Sequence, residues 1–292
     1  MSLAATNFEL LRFIEDRSPG VLCIKGAWGV GKSYYWRSFV KCHQGSINKR
    51  GYSYVSLFGI NSLEQLKAAI RENGQAIEDA GGSRRIIDRV TSFAKSGRKI
   101  KGVDAALEIA SQLSFYLLKD EFICFDDIER RGEQLRIADV LGLASQLREE
   151  RDCKIVLILN ETALDKREGQ GSEYRKYYEK AIDSHVEFAP NARECSKHAY
   201  GDVPRYARVQ DFSIALGLTN IRLMQRIMRV VDQLLPYLEG LHQEVVDEVF
   251  RSVTVLSWSA YGEASPTEQW IFNGERVYGP AKMEPTDEEL EW

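Results

Sequence analysis

Gly26-Ala27-Trp28-Gly29-Val30-Gly31-Lys32-Ser33 fits the phosphate-binding pattern G-x-x-x-x-G-K-[ST], and its flanks decide the fold. The apolar stretch Val21-Leu22-Cys23-Ile24 before it reads as a strand, and Tyr34-Tyr35-Trp36-Arg37-Ser38-Phe39-Val40 after it reads as a helix. Strand, loop and helix in that order are what the pattern requires. Glycines let the loop turn its N–H groups inward, so a phosphate meets a ring of donors and the positive end of the following helix. Lys32 supplies a mobile point charge for the outer phosphates, and the Ser33 hydroxyl is a ligand for magnesium. The expected nucleotide-binding set is therefore Gly26 to Ser33 together with Tyr34, with Trp28 lying over the loop.

A second signal comes from Phe122-Ile123-Cys124-Phe125-Asp126-Asp127. Four apolar residues predict a buried parallel strand, and carboxylates at its C-terminal end stand where an open α/β sheet presents ligands. Asp126 is placed to hold the magnesium through its water shell, and Asp127 to orient or deprotonate an attacking water. Many related ATPases use glutamate in the place of Asp127, and Glu129 is a less well placed alternative. A further strand, Lys154 to Leu159, ends on Asn160. If the sheet sets this strand beside the one ending in Asp126, the Asn160 amide can hold the attacking water. As the residue before Glu161-Thr162-Ala163-Leu164 it also reads as a helix cap.

Length and charge agree with a nucleotide-binding domain followed by a smaller helical one. The chain has 292 residues and a net charge of -4, so no global excess of positive charge points to nucleic acid. Its five cysteines lack C-x-x-C spacing, which suggests a reducing cytoplasm without a disulfide framework or a zinc site. No run is long and apolar enough to span a bilayer, and no signal peptide is evident. The four histidines, at 43, 185, 198 and 242, are scattered and read as structural or surface residues.

The spacing predicts an amphipathic helix over Asn7 to Arg17, a second strand over Tyr52 to Phe58, and a helix opening at Ser62. An inserted, apparently helical segment follows at about residues 81–119. It carries Arg84, Arg85, Arg89, Lys95, Arg98, Lys99 and Lys101 against the single acid Asp88. Such a stretch suits nucleic acid, an anionic membrane surface or an acidic partner, and equally a solvated helix face. A helix from Ser172 to Ile182 and a last strand, His185 to Phe188, close the first domain near Pro190. Arg175, Arg130 and Arg131 are the candidates for a cation that reaches a neighbouring subunit's nucleotide, and all three also read as surface residues.

Residues 191–251 read as a helical lid. Its Arg222, in the first turn after Asn220-Ile221, stands where an arginine could lean over the phosphates and report nucleotide state; it also reads as an exposed helix residue. Residues 252–292 read as the start of a further region. Thr286-Asp287-Glu288-Glu289 is a capping box for a helix that stops at Trp292, so the natural protein is expected to be longer.

Together, the loop at 26 to 33, Val55-Ser56-Leu57-Phe58-Gly59, Asp126-Asp127-Ile128-Glu129-Arg130 and Asn220-Ile221-Arg222 resemble KAP-type P-loop NTPases, within the STAND and AAA+-related group. The resemblance covers about residues 7 to 240. It implies an α/β three-layer sandwich with a mostly parallel sheet followed by a helical lid, with ATP and Mg2+ bound. It also implies an ATP-driven switch, which in many bacterial relatives takes part in defence against phages. Lys32, Asp127, Asn160 and Arg222 would be its catalytic set. Relatives often carry transmembrane helices between the two Walker motifs, where this chain has its basic insertion. Three activities follow as expectations: a hydrolysing switch working through a homo-oligomer or an effector protein; an ATP-dependent nucleic-acid remodeller using Arg84, Arg85, Arg98 and Lys99; or a nucleotide-binding module that hydrolyses little.

Overall fold

The computed structural model describes residues 3–76, 115, 118–166 and 170–262. The chain divides into two compact units, Met1–Pro190 and Asn191–Trp292.

In the first unit the described residues form a six-stranded sheet in the order β3-β2-β4-β5-β1-β6. The strands are β1 (Gly20–Lys25), β2 (Gly51–Ser56), β3 (Gly74–Ala76), β4 (Glu121–Asp126), β5 (Lys154–Leu159) and β6 (Ser184–Glu187). All neighbours pair in parallel except β3, which lies antiparallel on β2. The central strands β4 and β5 are almost wholly buried, as their apolar runs require of strands covered on both faces.

Successive residues point to opposite faces, and the two cores follow from that alternation. Val21, Cys23, Ile123, Phe125, Ile155 and Leu157 face one core, which takes Leu66 and Ile70 of α3 (Leu63–Glu72) and Leu141, Ala144 and Leu147 of α4 (Ile137–Arg151). Leu22, Ile24, Phe122, Cys124, Val156 and Ile158 face the other, with Leu10 and Ile14 of α1 (Leu3–Glu15) and Trp36, Phe39 and Val40 of α2 (Lys32–Cys42). Trp36 is fully buried, donates from Nε1 to the Tyr52 hydroxyl at 3.0 Å, and meets the Phe122 ring edge-on at 5.7 Å. Two further helices, α5 (Glu161–Lys166) and α6 (Gln170–Ala181), carry the chain from β5 to β6.

Lys154 opens β5 as a buried cation. Its Nζ donates to the carbonyls of Asp16 and Ser18 at 2.6 and 2.9 Å and lies 4.5 Å from the Phe13 ring centre, which ties the end of α1 to the sheet. Burial pushes its pKa down to about 8, helped by nearby Lys49 and opposed by Asp16. Between that value and the ordinary lysine value the unfolded chain binds more protons than the folded one, so this residue's contribution to stability rises with pH. Relative to Lys154→Met, the wild type is expected to gain stability between about pH 7.5 and about pH 9.5 in urea titrations. Parallel pH profiles for the two proteins would refute the shift.

The second unit holds α7 (Ala192–Tyr200), α8 (Ala207–Ala215), α9 (Ile221–Leu238) and α10 (Gln243–Tyr261) around its own core of Val209, Leu223, Met224, Ile227, Val231 and Phe250. Asn191 and Glu194 form a capping box on α7, and Asn220 Oδ1 accepts from the Leu223 N–H to cap α9. Helix α10 runs without a break through position 251, where the sequence pattern placed the end of the helical region, so that boundary divides one helix. None of the helices among the described residues is long and apolar enough to cross a membrane.

Candidate functional site: the C-terminal edge of the sheet

The register of the sheet brings the chemistry together. Lys25 pairs with Leu159, Phe125 with Leu157, and Ser56 with Asp126, so β1, β5, β4 and β2 end at one edge. The loop 26–31, Asn160, Asp126-Asp127 and Ser56 therefore share that edge. It is also where the chain reverses direction. From β1 it crosses to β2 on one side, and from β5 it returns past β1 to β6 on the other, which creates the crevice where open α/β sheets bind ligands.

Gly29 and Gly31 hold the left-handed conformation, with φ of 76° and 94°. Gly31 is the residue just before α2, and no side chain caps that helix, so the positive end of α2 lies at the loop. Lys32 is buried and folds back to donate to the carbonyls of Gly26 and Ala27 at 2.7 and 2.8 Å. Ser33 is half-buried one residue further along α2, and Tyr34 is exposed. Trp28 is 45 % exposed, while its Nε1 donates to Glu129 Oε1 at 2.7 Å.

Asp126 is only 2 % exposed. Its Oδ1 accepts from the Asp127 N–H at 2.7 Å and its Oδ2 from the Tyr54 hydroxyl, which fixes the plane of the carboxylate. Burial, reinforced by that carboxylate, raises the Tyr54 pKa and keeps the phenol a donor. Asp127 follows in the left-handed region at φ 54°, a conformation that an aspartate tolerates and that lifts its side chain off the strand axis. Its Oδ2 accepts from Ser56 Oγ at 2.8 Å, and its Oδ1 lies 3.7 Å from the Arg130 guanidinium. These residues fit a magnesium–phosphate group: an uncapped helix start with a lysine, a hydroxyl on the first turn, and an oriented buried carboxylate.

No protein-family model and no characterised protein sequence matches the chain. Solved structures do. The Aeropyrum pernix ORC2 protein, described as ADPNP-ADP complexes, is 14 % identical, with a TM-score of 0.55 over 91 % of this chain and 69 % of that one. This is the P-loop NTPase fold. Drosophila ORC bound to DNA matches at 13 % identity and TM-score 0.45, covering 85 % and 65 % of the two chains. Cdc6p from Pyrobaculum aerophilum matches at 13 % and 0.44, covering 93 % and 83 %.

Within this P-loop NTPase fold, β4 and β5 are neighbours, so Asn160 does stand beside the two aspartates. It caps α5 as well: its Oδ1 accepts from the Ala163 N–H at 3.1 Å. The cap uses only Oδ1, so it does not exclude a second role for the amide. Glu129, the alternative to Asp127, is held by two other partners. It is 6 % exposed and accepts from the Asn160 N–H at 3.1 Å as well as from Trp28.

Arg131 is a correction. It is 2 % exposed and donates to the carbonyls of Leu135 and Ile128 at 2.7 and 3.0 Å, so it braces the turn after β4 and can reach no neighbouring subunit. Arg130 is partly exposed and stacks over the exposed Phe58 ring at 4.4 Å, and Arg175 is exposed on α6. Arg222 is exposed on the first turn of α9, in the second unit. Arg84, Arg85, Arg98 and Lys99 lie outside the described residues, as does the C-terminal capping box.

Proposed function

We propose that this chain is a magnesium-dependent ATPase that works as a nucleotide-controlled switch. The observation that carries the reading is the convergence of Lys32, Ser33, Asp126, Asp127 and Asn160 on one edge of the sheet at its switch point. The loop amides and the start of α2 bind the phosphates, and Lys32 exchanges the Gly26 and Ala27 carbonyls for phosphate oxygens. Ser33 and Asp126 hold magnesium, which when bound offsets the phosphate charge. Asp127 orients the attacking water and takes its proton, and the Asn160 amide steadies that water.

Asp127 is engaged by Ser56 and faces Arg130, which supports slow turnover in the resting chain and a faster rate once a partner or a second copy frees the carboxylate. The same engagement is what favours the second reading, a nucleotide-binding module with little hydrolysis. The motif resemblance to KAP-type NTPases extends the first reading to a role in phage defence, in the cytoplasm, through an oligomer or an effector.

Magnesium-dependent phosphate release separates the two readings. Asp127→Ala is expected to keep ATP binding and lose turnover by roughly 100-fold or more, the range for removing a general base. A wild type that binds ATP tightly and never turns over, alone or assembled, would leave only the binding module.

A further inference from the structure

Glu129 divides its carboxylate between two strands. One oxygen accepts from the indole of Trp28 in the phosphate loop after β1, and the other from the backbone N–H of Asn160 at the tip of β5. Between them Glu129 sits in the short 3-10 turn Ile128–Arg130 that directly follows Asp126-Asp127. Arg131 pins that turn from below through two carbonyls, so the backbone of Glu129 has little freedom to follow either partner. Trp28 donates to Glu129 with nearly half its surface open to solvent, inside a loop whose Gly29 and Gly31 permit rearrangement.

We propose that Glu129 is a positioning residue that transmits the state of the phosphate loop to the tip of β5. The proposal rests on the nucleotide reading above. A carboxylate is planar, so when the loop carries Trp28 away, Oε1 loses the indole donor and the group rotates, which strains the bond from Oε2 to Asn160. Asn160 caps α5 through Oδ1, so the strain passes to that helix. The first residue of α5, Glu161, pairs with Lys25 at the end of β1 at 3.1 Å, which returns the signal to the strand that feeds the loop. Trp28, Glu129, Asn160 and Glu161 thus form a closed circuit around the site. Hydrogen bonds to a charged group are strong enough to transmit such a change, whereas neutral ones of the same geometry are weaker.

The test is amide hydrogen exchange at Asn160 through Leu164 in the wild type, Trp28→Phe, Glu129→Gln and the double variant, first without nucleotide. Trp28→Phe, at a half-open position, keeps the ring and removes the donor, so it guards against a Glu129→Gln chain that fails to fold. Trp28→Phe is expected to speed exchange of the Asn160 amide by roughly tenfold. The double variant is expected to exchange no faster than Glu129→Gln alone. An Asn160 amide unmoved by Trp28→Phe, or effects that multiply in the double variant, would overturn the proposal.

Kinetics add a readout that simple destabilisation would not give. Trp28→Phe is expected to lower kcat roughly tenfold or more while KM for ATP stays within about threefold, because misplacement near the reacting groups costs turnover rather than binding. Loss of ATP affinity with kcat retained would make Trp28 an ordinary loop contact and overturn the relay. The exchange measurement needs no ATP. Failure of the nucleotide reading shows separately, as a wild type whose residues 26–34 gain no protection when ATP and magnesium are added.

Discussion

Lys32→Ala is expected to lose most of the rise in melting temperature that ATP and magnesium give the wild type. At a concentration a hundredfold above Kd, bound ATP stabilises a folded protein by about 2.7 kcal/mol, which corresponds to roughly 5 to 10 °C for a unit of this size. Each charge-assisted hydrogen bond from the lysine to a phosphate oxygen contributes about 1.5 to 3 kcal/mol, so removing the ammonium weakens binding by roughly 100-fold and leaves only about 0.4 kcal/mol of the stabilisation, a rise of roughly 1 to 2 °C. In the free loop Lys32 donates to the carbonyls of Gly26 and Ala27, and bonds from an ammonium contribute about 1.5 to 3 kcal/mol each, so the variant is also expected to be less stable without nucleotide and each protein's rise is read against its own free form. The experiment is thermal unfolding of both proteins with and without ATP and magnesium. An equal nucleotide-induced rise in wild type and variant would sink the assignment of this loop as the phosphate site.

How far the sequence carries depends on the residue. The strands β1, β4 and β5 were legible because a parallel strand buried on both faces is apolar at every position, and the loop and the paired aspartates mark where two of them end. Strand β3 was not. It has three residues, Gly74, Gln75 and Ala76, with neither alternation nor bulk, and exists because its backbone pairs with β2. The adjacency of β4 and β5 was left open as well, since strand order is set by how the crossovers pack and leaves no mark on any one strand. The burial of Arg131 and the partners of Glu129 were not legible, for a shared reason. Charged residues are ordinarily exposed, and composition cannot tell that one will have two carbonyls and the other an indole and an amide waiting for it. Asn160 illustrates the converse. Its reading as a helix cap is met by Oδ1, and since an amide has a second end the cap does not decide the other reading.

Gly26→Ala is expected to destabilise the first unit by about 3 kcal/mol and to weaken ATP binding with it. The first glycine of the loop pattern is not needed here for an unusual φ, unlike Gly29 and Gly31, which are left-handed. It is needed for a close approach. A Cβ at position 26 would stand 2.4 Å from the carbonyl oxygen of Phe188 and 3.3 Å from Lys32 Cδ. The first neighbour is backbone, and Phe188 is itself held by its N–H donating to the Lys25 carbonyl at 2.8 Å, so relief requires β1 and the chain after β6 to part. Overpacking against side chains costs about 1 to 3 kcal/mol, and a rigid backbone neighbour puts this site at the upper end. The displaced segment carries the carbonyl to which Lys32 donates, so loop and lysine lose their alignment together. Urea unfolding and ATP titration of Gly26→Ala beside Gly29→Ala separate the two causes. At Gly29 the cost is the left-handed conformation of an alanine, about 1 to 2 kcal/mol. A Gly26→Ala protein as stable as the wild type would mean that β1 and the chain after β6 are less tightly joined than their 2.8 Å hydrogen bond implies.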